Sequence, residues 1–260
     1  MSRKPPAQPS NNFDIMPLVN IMRQLRNPDN GCPWDVAQNF STIAPYTIEE
    51  AYEVEDAIAQ GDMNELKNEL GDLLLQIIFH SQMADEAGSF ALNDVITAIC
   101  DKMTRRHPHV FGEADQKDWD WEELKTEERG AKGQNSAMDD IALSLPAAMR
   151  AQKIQKRAAK TGFDWPDAAS CAEKIAEEQR ELFEAKNAAE QHEEAGDLLF
   201  AAINLVRHYK VDAETALRDA NRKFERRFRA MEDMTDGRFN ALTLDEKERL
   251  WQAVKLKQHP

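Results

Sequence analysis

Proline placement is the feature that most constrains this chain. Eleven prolines occur, yet none stands between Tyr46 and His107, and none between Asp167 and His259. Both stretches carry apolar residues at i, i+3 and i+4 spacing rather than in alternation, which is the pattern of an amphipathic helix. Leu66, Leu70, Leu73, Leu74 and Ile77 make one such stripe, and Leu198, Ala201, Ala202 and Leu205 make another. Clusters of β-branched residues joined by hairpin dipeptides are nearly absent, and the Asp236-Gly237 pair sits in a polar context. The predicted fold class is therefore all-α.

The two proline-free stretches are also copies of one plan. The first half reads Gly31-Cys-Pro-Trp34, Glu49-Glu-Ala-Tyr-Glu53, Glu69-Leu-Gly-Asp72 and Lys102-Met-Thr-Arg-Arg106. The second reads Gly162-Phe-Asp-Trp165, Glu177-Glu-Gln-Arg-Glu181, Glu194-Ala-Gly-Asp197 and Lys223-Phe-Glu-Arg-Arg227. Four elements in the same order imply two related helical-bundle units. Residues 1–14, rich in Pro, Ser and Asn, are predicted to be disordered. The first unit is predicted over 15–111, a charged linker with a short helix around Trp121–Arg129 over 112–140, and the second unit over 141–260.

Charge and cysteines narrow the function. Lys plus Arg is 33 and Asp plus Glu is 47, a net charge of −14, which argues against nucleic acid as a partner. The three cysteines form no CxxC pair, and their odd number speaks against a disulfide framework. Arg3 and Lys4 have no apolar stretch after them, so no secretory signal is predicted. The most apolar run, Leu73–Phe79, is too short to span a membrane. A reduced, cytoplasmic protein is expected.

The chemistry lies in the carboxylates. Glu178 and Glu181 are i, i+3 neighbours flanked by Ile175 and Leu182, so the pair borders the apolar stripe. Glu194 and Asp197 repeat the arrangement beside Leu198, Ala201 and Leu205. Glu50, Glu53, Glu69 and Asp72 form the matching set in the first half. Four carboxylates aimed at a bundle interior repel one another and raise their own pKa values unless a cation compensates them. Oxygen-only donors select a hard ion, Mg²⁺ first and Mn²⁺ second. The glycines inside both E-x-G-D segments, Gly71 and Gly196, suggest close helix packing, because an interior glycine costs about 1 kcal/mol against alanine. Lys223, Arg226 and Arg227 share a helix anchored by Phe224 and Phe228, and basic groups beside a carboxylate-held metal suit a polyphosphate. Lys174 lies one turn before Glu177, where the first half has Tyr46. The second half is thus the better candidate for hydrolysis.

E-E-x-x-E followed by E-x-x-D resembles the signature of the MazG-type nucleoside triphosphate pyrophosphohydrolases. The likeness runs from about Ile21 to about Trp251 and includes Asn30-Gly-Cys-Pro-Trp-Asp35, Arg105-Arg-His-Pro-His-Val-Phe111 and Lys223-Phe-Glu-Arg-Arg-Phe228. The resemblance implies an all-α NTP pyrophosphatase fold, a homodimer, and Mg²⁺-dependent hydrolysis of nucleoside triphosphates to monophosphate and pyrophosphate, clearing unwanted or modified NTPs. It implies Glu178, Glu181, Glu194 and Asp197 as metal ligands. It places Lys174, Glu177, Lys223, Arg227, Trp251 and Lys255 at the nucleotide, with Glu177, Glu178 and Lys174 in the chemistry. In one departure, Glu190 stands where a close relative has a lysine preceding the E-x-x-D helix, and the loop between the two motifs is shorter.

Other hydrolytic and redox classes fit less well. A di-iron bundle wants Glu-x-x-His, and no His follows Glu50, Glu69, Glu178 or Glu194 at that spacing. A Nudix site would need Gly, Glu, Glu and Gly where Pro166, Ala172, Ala185 and Asn187 stand. No Walker A sequence occurs. The remaining alternative is a non-enzymatic helical dimer that binds nucleotides or a protein partner.

Overall fold

A computed structural model describes residues 14–112, 130 and 133–258, and all regular structure among them is helical. The expectations of a disordered N-terminus and of a helix at Trp121–Arg129 fall outside the described residues, apart from Asp14. The chain divides into two compact units, 1–121 and 122–260.

The first unit contains α1 (Met16–Leu25), α2 (Pro33–Ala37), α3 (Phe40–Gln60), α4 (Met63–Glu86), α5 (Leu92–Arg106) and α6 (Pro108–Phe111). Helix α3 begins six residues before the proline-free stretch and carries Pro45 inside it. A strong start makes this tolerable: Asn39 Oδ1 accepts from the Ser41 and Thr42 amides, and the Thr42 hydroxyl accepts from the Asn39 amide. Helices α3 and α4 form a hairpin. Gly61 ends α3 at φ 71°, a conformation that favours glycine, and Asp62 caps α4 through the Asn64 and Glu65 amides. Met22, Ile43, Ile78, Phe79 and Met83 form the core with Val19.

The predicted α4 stripe is therefore rotated from the face that is buried. Leu74 and Leu75 pack on the core, but Leu70 is 49% and Ile77 41% exposed. Helical spacing identifies an apolar arc, and the arc on α4 is wider than one packed neighbour covers.

The second unit contains α7 (Ala147–Lys160), α8 (Ala168–Glu184), α9 (Ala188–His208), α10 (Ala213–Asp233) and α11 (Leu244–Gln258), with a 3₁₀ turn at Phe239–Ala241. Helices α8 and α9 repeat the α3–α4 hairpin. Asn187 Oδ1 caps α9 by accepting from the Ala189 and Glu190 amides. Helix α7 is tied on by buried amides. Gln155 Nε2 donates to Phe200 O, and Gln152 both donates to Val211 O and accepts from the Ala213 amide. Met231, Phe239 and Val254 make a second core, with Phe228 and Trp251 against it.

Candidate active site

Two carboxylate clusters form, one per hairpin. Oxygens of Glu178, Glu194 and Asp197 lie within 4.8 Å of one another, as do those of Glu50, Glu69 and Asp72. Glu178 is the deeply placed member, at 4% exposure. Each cluster takes one carboxylate from the first helix of its hairpin and two from the second. Glu181 and Glu53 are exposed and lie outside these groups of three, but their charges reach in. Glu194 is pushed above the ordinary carboxylate range by burial, then by Glu181, Glu178 and Asp197. Glu50 is raised by burial, then by Asp72 and Glu53. Glu69 is raised by burial and then by Glu53.

This donor set fits a hard divalent cation. It offers only carboxylate oxygens, they converge, and their mutual repulsion is uncompensated at Glu194, Glu50 and Glu69. Lys174 answers part of the charge in the second unit. Its Nζ lies 2.6 Å from Glu178 Oε1 and donates to Glu177 Oε1 at 2.8 Å. The two bonds raise the pKa of Lys174 and hold Glu177 below the ordinary range.

A cavity of about 290 Å³ adjoins the second cluster. Trp165, Cys171, Phe200, Ala201 and Asn204 line it together with Lys174, Glu178 and Asp197. Trp165, the last residue of the second G-x-x-W element, is thus part of the lining. Lys223, Arg226, Arg227, Trp251 and Lys255 are not in its lining; they stand on α10 and α11. There Arg227, 8% exposed, lies 5.7 Å from the Trp251 ring centroid, and Trp251 packs on Phe224 at 5.3 Å between centroids. Phe224 is nevertheless 57% exposed, so it does not anchor α10 in the core as expected; Phe228 does.

Two further expectations change. A Cβ on Gly71 or Gly196 would meet nothing within 4 Å among the described residues, so neither glycine permits a close approach there. Glu190 accepts from the Lys186 amide and from Asn187 Nδ2. It is a capping residue of α9, which accounts for an acid at that position.

Sequence reasoning missed the cavity. The repeat holds the signal. Counting four and seven residues from the shared aspartate gives Gln76 and Phe79 in the first unit but Ala201 and Asn204 in the second. Phe79 is 3% exposed in the core, and Gln76 Nε2 reaches Glu50 Oε1 at 3.4 Å. The second unit opens space where the first fills it.

The fold and the paired clusters define an all-α protein with duplicated acidic sites. Residues 38–111 match the MazG nucleotide pyrophosphohydrolase domain, and residues 144–224 match the phosphoribosyl-ATP pyrophosphohydrolase family. The chain is 53% identical over 251 residues to the nucleoside triphosphate pyrophosphohydrolase of Escherichia coli, covering 92% of this chain and 95% of that protein. It is 44% identical over 242 residues to the nucleoside triphosphate pyrophosphohydrolase/pyrophosphatase MazG of Thermotoga maritima, covering 92% and 94%. The chain belongs to the MazG nucleotide pyrophosphohydrolase family.

Proposed function

We propose that this protein hydrolyses nucleoside triphosphates to monophosphate and pyrophosphate with Mg²⁺ or Mn²⁺, that the second unit carries the reaction, and that the role is to clear unwanted or modified NTPs. The observation that carries the reading is the buried Glu178, grouped with Glu194 and Asp197 and opening on the cavity. Glu178, Glu194 and Asp197 would hold the metal, with Glu181 beside them. When bound, the ion supplies Lewis-acid polarisation of a phosphoryl oxygen.

The protein's own groups do the rest. Glu177, kept ionised by Lys174, accepts a hydrogen bond and orients the attacking water. Lys174 is placed to shift from Glu178 toward developing phosphate charge, since an ammonium binds either anion as a point charge. Lys223, Arg226, Arg227 and Lys255 supply further positive charge for the polyphosphate, and Trp251 offers an aromatic face.

Glu50, Glu53, Glu69 and Asp72 make a second, subordinate metal site. The filled positions at Gln76 and Phe79 favour reading the first unit as a binding module. A homodimer is part of the proposal. Phe183 is 79% and Leu199 66% exposed on the α8–α9 hairpin, and Gly196 leaves that face bare. The free cysteines and the nucleotide substrate suit the cytoplasm. No helix among the described residues is long and apolar enough to cross a membrane.

The test compares Glu178→Gln with Glu50→Gln on mixed NTPs and Mg²⁺, following monophosphate and pyrophosphate. Loss of one metal-ligating charge should cost about 3–4 kcal/mol of transition-state stabilisation, or about 10²–10³ in rate. Glu50→Gln should change the rate less than tenfold. An intact rate in Glu178→Gln with loss in Glu50→Gln would reverse the assignment.

A further inference from the structure

We propose that Asn204 selects the nucleobase, with Arg207 as its positioning residue, so that the cavity prefers bases bearing a ring carbonyl oxygen (6-oxopurines and 4-oxopyrimidines) over their amino counterparts. The inference rests on the pyrophosphohydrolase reading and deepens it.

Asn204 is 5% exposed and lines the cavity. Its Oδ1 accepts two hydrogen bonds from Arg207, from Nε at 2.8 Å and from Nη2 at 2.6 Å. A guanidinium only donates, so the amide oxygen must be the atom that faces it. The orientation of this side chain is therefore fixed by chemistry. Nδ2 has no partner among the described residues and is not sealed from solvent, so on this cavity-lining residue it is open to a ligand. An acceptor on a ligand seated there would take a hydrogen bond from it.

Arg207 is itself held. Nη2 bonds Asp164, and its side chain is only 11% exposed. Burial acts to raise Asp164, but the Arg207 hydrogen bond and charge, together with His208 and the Trp165 amide, outweigh it and keep the carboxyl low. Turning Arg207 away would cost Asp164 its guanidinium partner and leave it the Trp165 amide and His208, so the chain Asp164–Arg207–Asn204 holds the amide.

The placement suits a base. Asn204 is seven residues after Asp197 on α9, so it lies on the same helix face about 10.5 Å farther along the axis. That is the scale separating a base edge from the phosphate chain of a nucleotide. Ala201 lies between them and keeps the face shallow. Trp165 and Phe200 supply aromatic surface in the lining. The polar group that Asn204 presents at this end of the lining is a donor. A carbonyl on the base satisfies it, whereas an exocyclic amino group sets donor against donor. Sites built on one such hydrogen bond discriminate because the mismatched partner stays unpaired.

The experiment measures kcat/KM for GTP against ATP and for UTP against CTP, which holds ring size constant within each pair. The full chain is used, with Mg²⁺. In the native protein the oxo base should be favoured at least tenfold in both pairs. Asn204→Asp presents only acceptors, and the ratios should fall below one. Arg207→Met frees the amide to rotate and should bring both ratios toward one, while Arg207→Lys should restore the preference in part. Each ratio is taken within one preparation, so a misfolded fraction cancels. Native ratios near one, or ratios unmoved by Asn204→Asp while hydrolysis continues, would overturn the inference and leave the pyrophosphohydrolase reading standing. No hydrolysis of any NTP by the native chain would overturn both.

Discussion

Lys174→Met tests the electrostatics of the second unit without relying on turnover. The substitution deletes the ammonium and keeps an unbranched stem. In the native protein Nζ lies 2.6 Å from Glu178 Oε1 and 2.8 Å from Glu177 Oε1. Glu178 is 4% exposed and shares its surroundings with Glu194 and Asp197, whose oxygens lie within 4.8 Å. Removing one partner of a fully buried pair costs about 3–5 kcal/mol. The Lys174 side chain is 32% exposed, so water screens it, and about 2 kcal/mol is the proper scale.

A domain of this order loses about 2–4 °C of Tm per kcal/mol, so the metal-free variant should melt about 4–8 °C lower. Mg²⁺ should act in the opposite sense. Lys174 and a divalent cation compete for the same carboxylate, so the variant binds the ion more tightly. Its Mg²⁺-induced rise in Tm should exceed that of the native protein at equal concentration, because the gain follows RT ln(1 + [L]/Kd). Calorimetry in EDTA and in Mg²⁺ reads both effects. An unchanged Tm in EDTA, or a smaller Mg²⁺ increment in the variant, would refute the competition.

Other substitutions test the cavity and the first unit. Ala201→Gln copies Gln76 into the second unit. It should raise KM for NTPs at least tenfold by steady-state assay and leave the Mg²⁺-induced Tm rise in place. Arg26→Ala should destabilise the first unit by about 2–4 kcal/mol in urea titration, because Nη1 donates to Asp35 O at 2.6 Å and Nη2 pairs with Glu86 at 2.6 Å. The hydrogen bond from Arg26 holds Glu86 below its ordinary value of 4.5. The pair therefore contributes fully above that value and fades as pH falls through the lowered native pKa, so the gap between native and variant should narrow in acid. Gly31→Ala should cost about 2–3 kcal/mol by the same titration, since a Cβ would run into the backbone oxygens of Leu25 and Asn27.

The helices and the carboxylates were legible in the sequence because both follow from spacing along one helix. Proline-free runs with a 3.6-residue period set α4, α9 and α10, and i, i+3 acids set which carboxylates are neighbours. The grouping of Glu178 with Glu194 and Asp197, while Glu181 stays outside the three, was not legible. It depends on how α8 is rotated against α9, and periodicity fixes directions around one axis but not the contact between two. The same limit misplaced the buried face of α4, where Leu70 and Ile77 point away from the core. Gly196 misled for a related reason: absence of a side chain signals a close neighbour only if a neighbour comes, and among the described residues none does.

The cavity escaped because it is an absence of volume, and volume is visible only by comparing the repeats. Duplication is what makes the comparison informative. Both hairpins keep the three converging carboxylates, so the repulsion that calls for a cation is common to both units. What differs is the space beside them. In the first unit Gln76 sits next to Glu50 and donates to it, and Phe79 completes the core. In the second unit Ala201 and Asn204 stand at those positions and line the open volume. On the function proposed, holding a metal and admitting a nucleotide are thus separable properties of one helical hairpin. The first requires acids spaced by three on a helix and a partner helix to face them. The second requires that the residues four and seven places beyond the aspartate stop filling the interior, a change that the first unit could not accept without losing Phe79 from the cluster that includes Met22, Ile43 and Ile78.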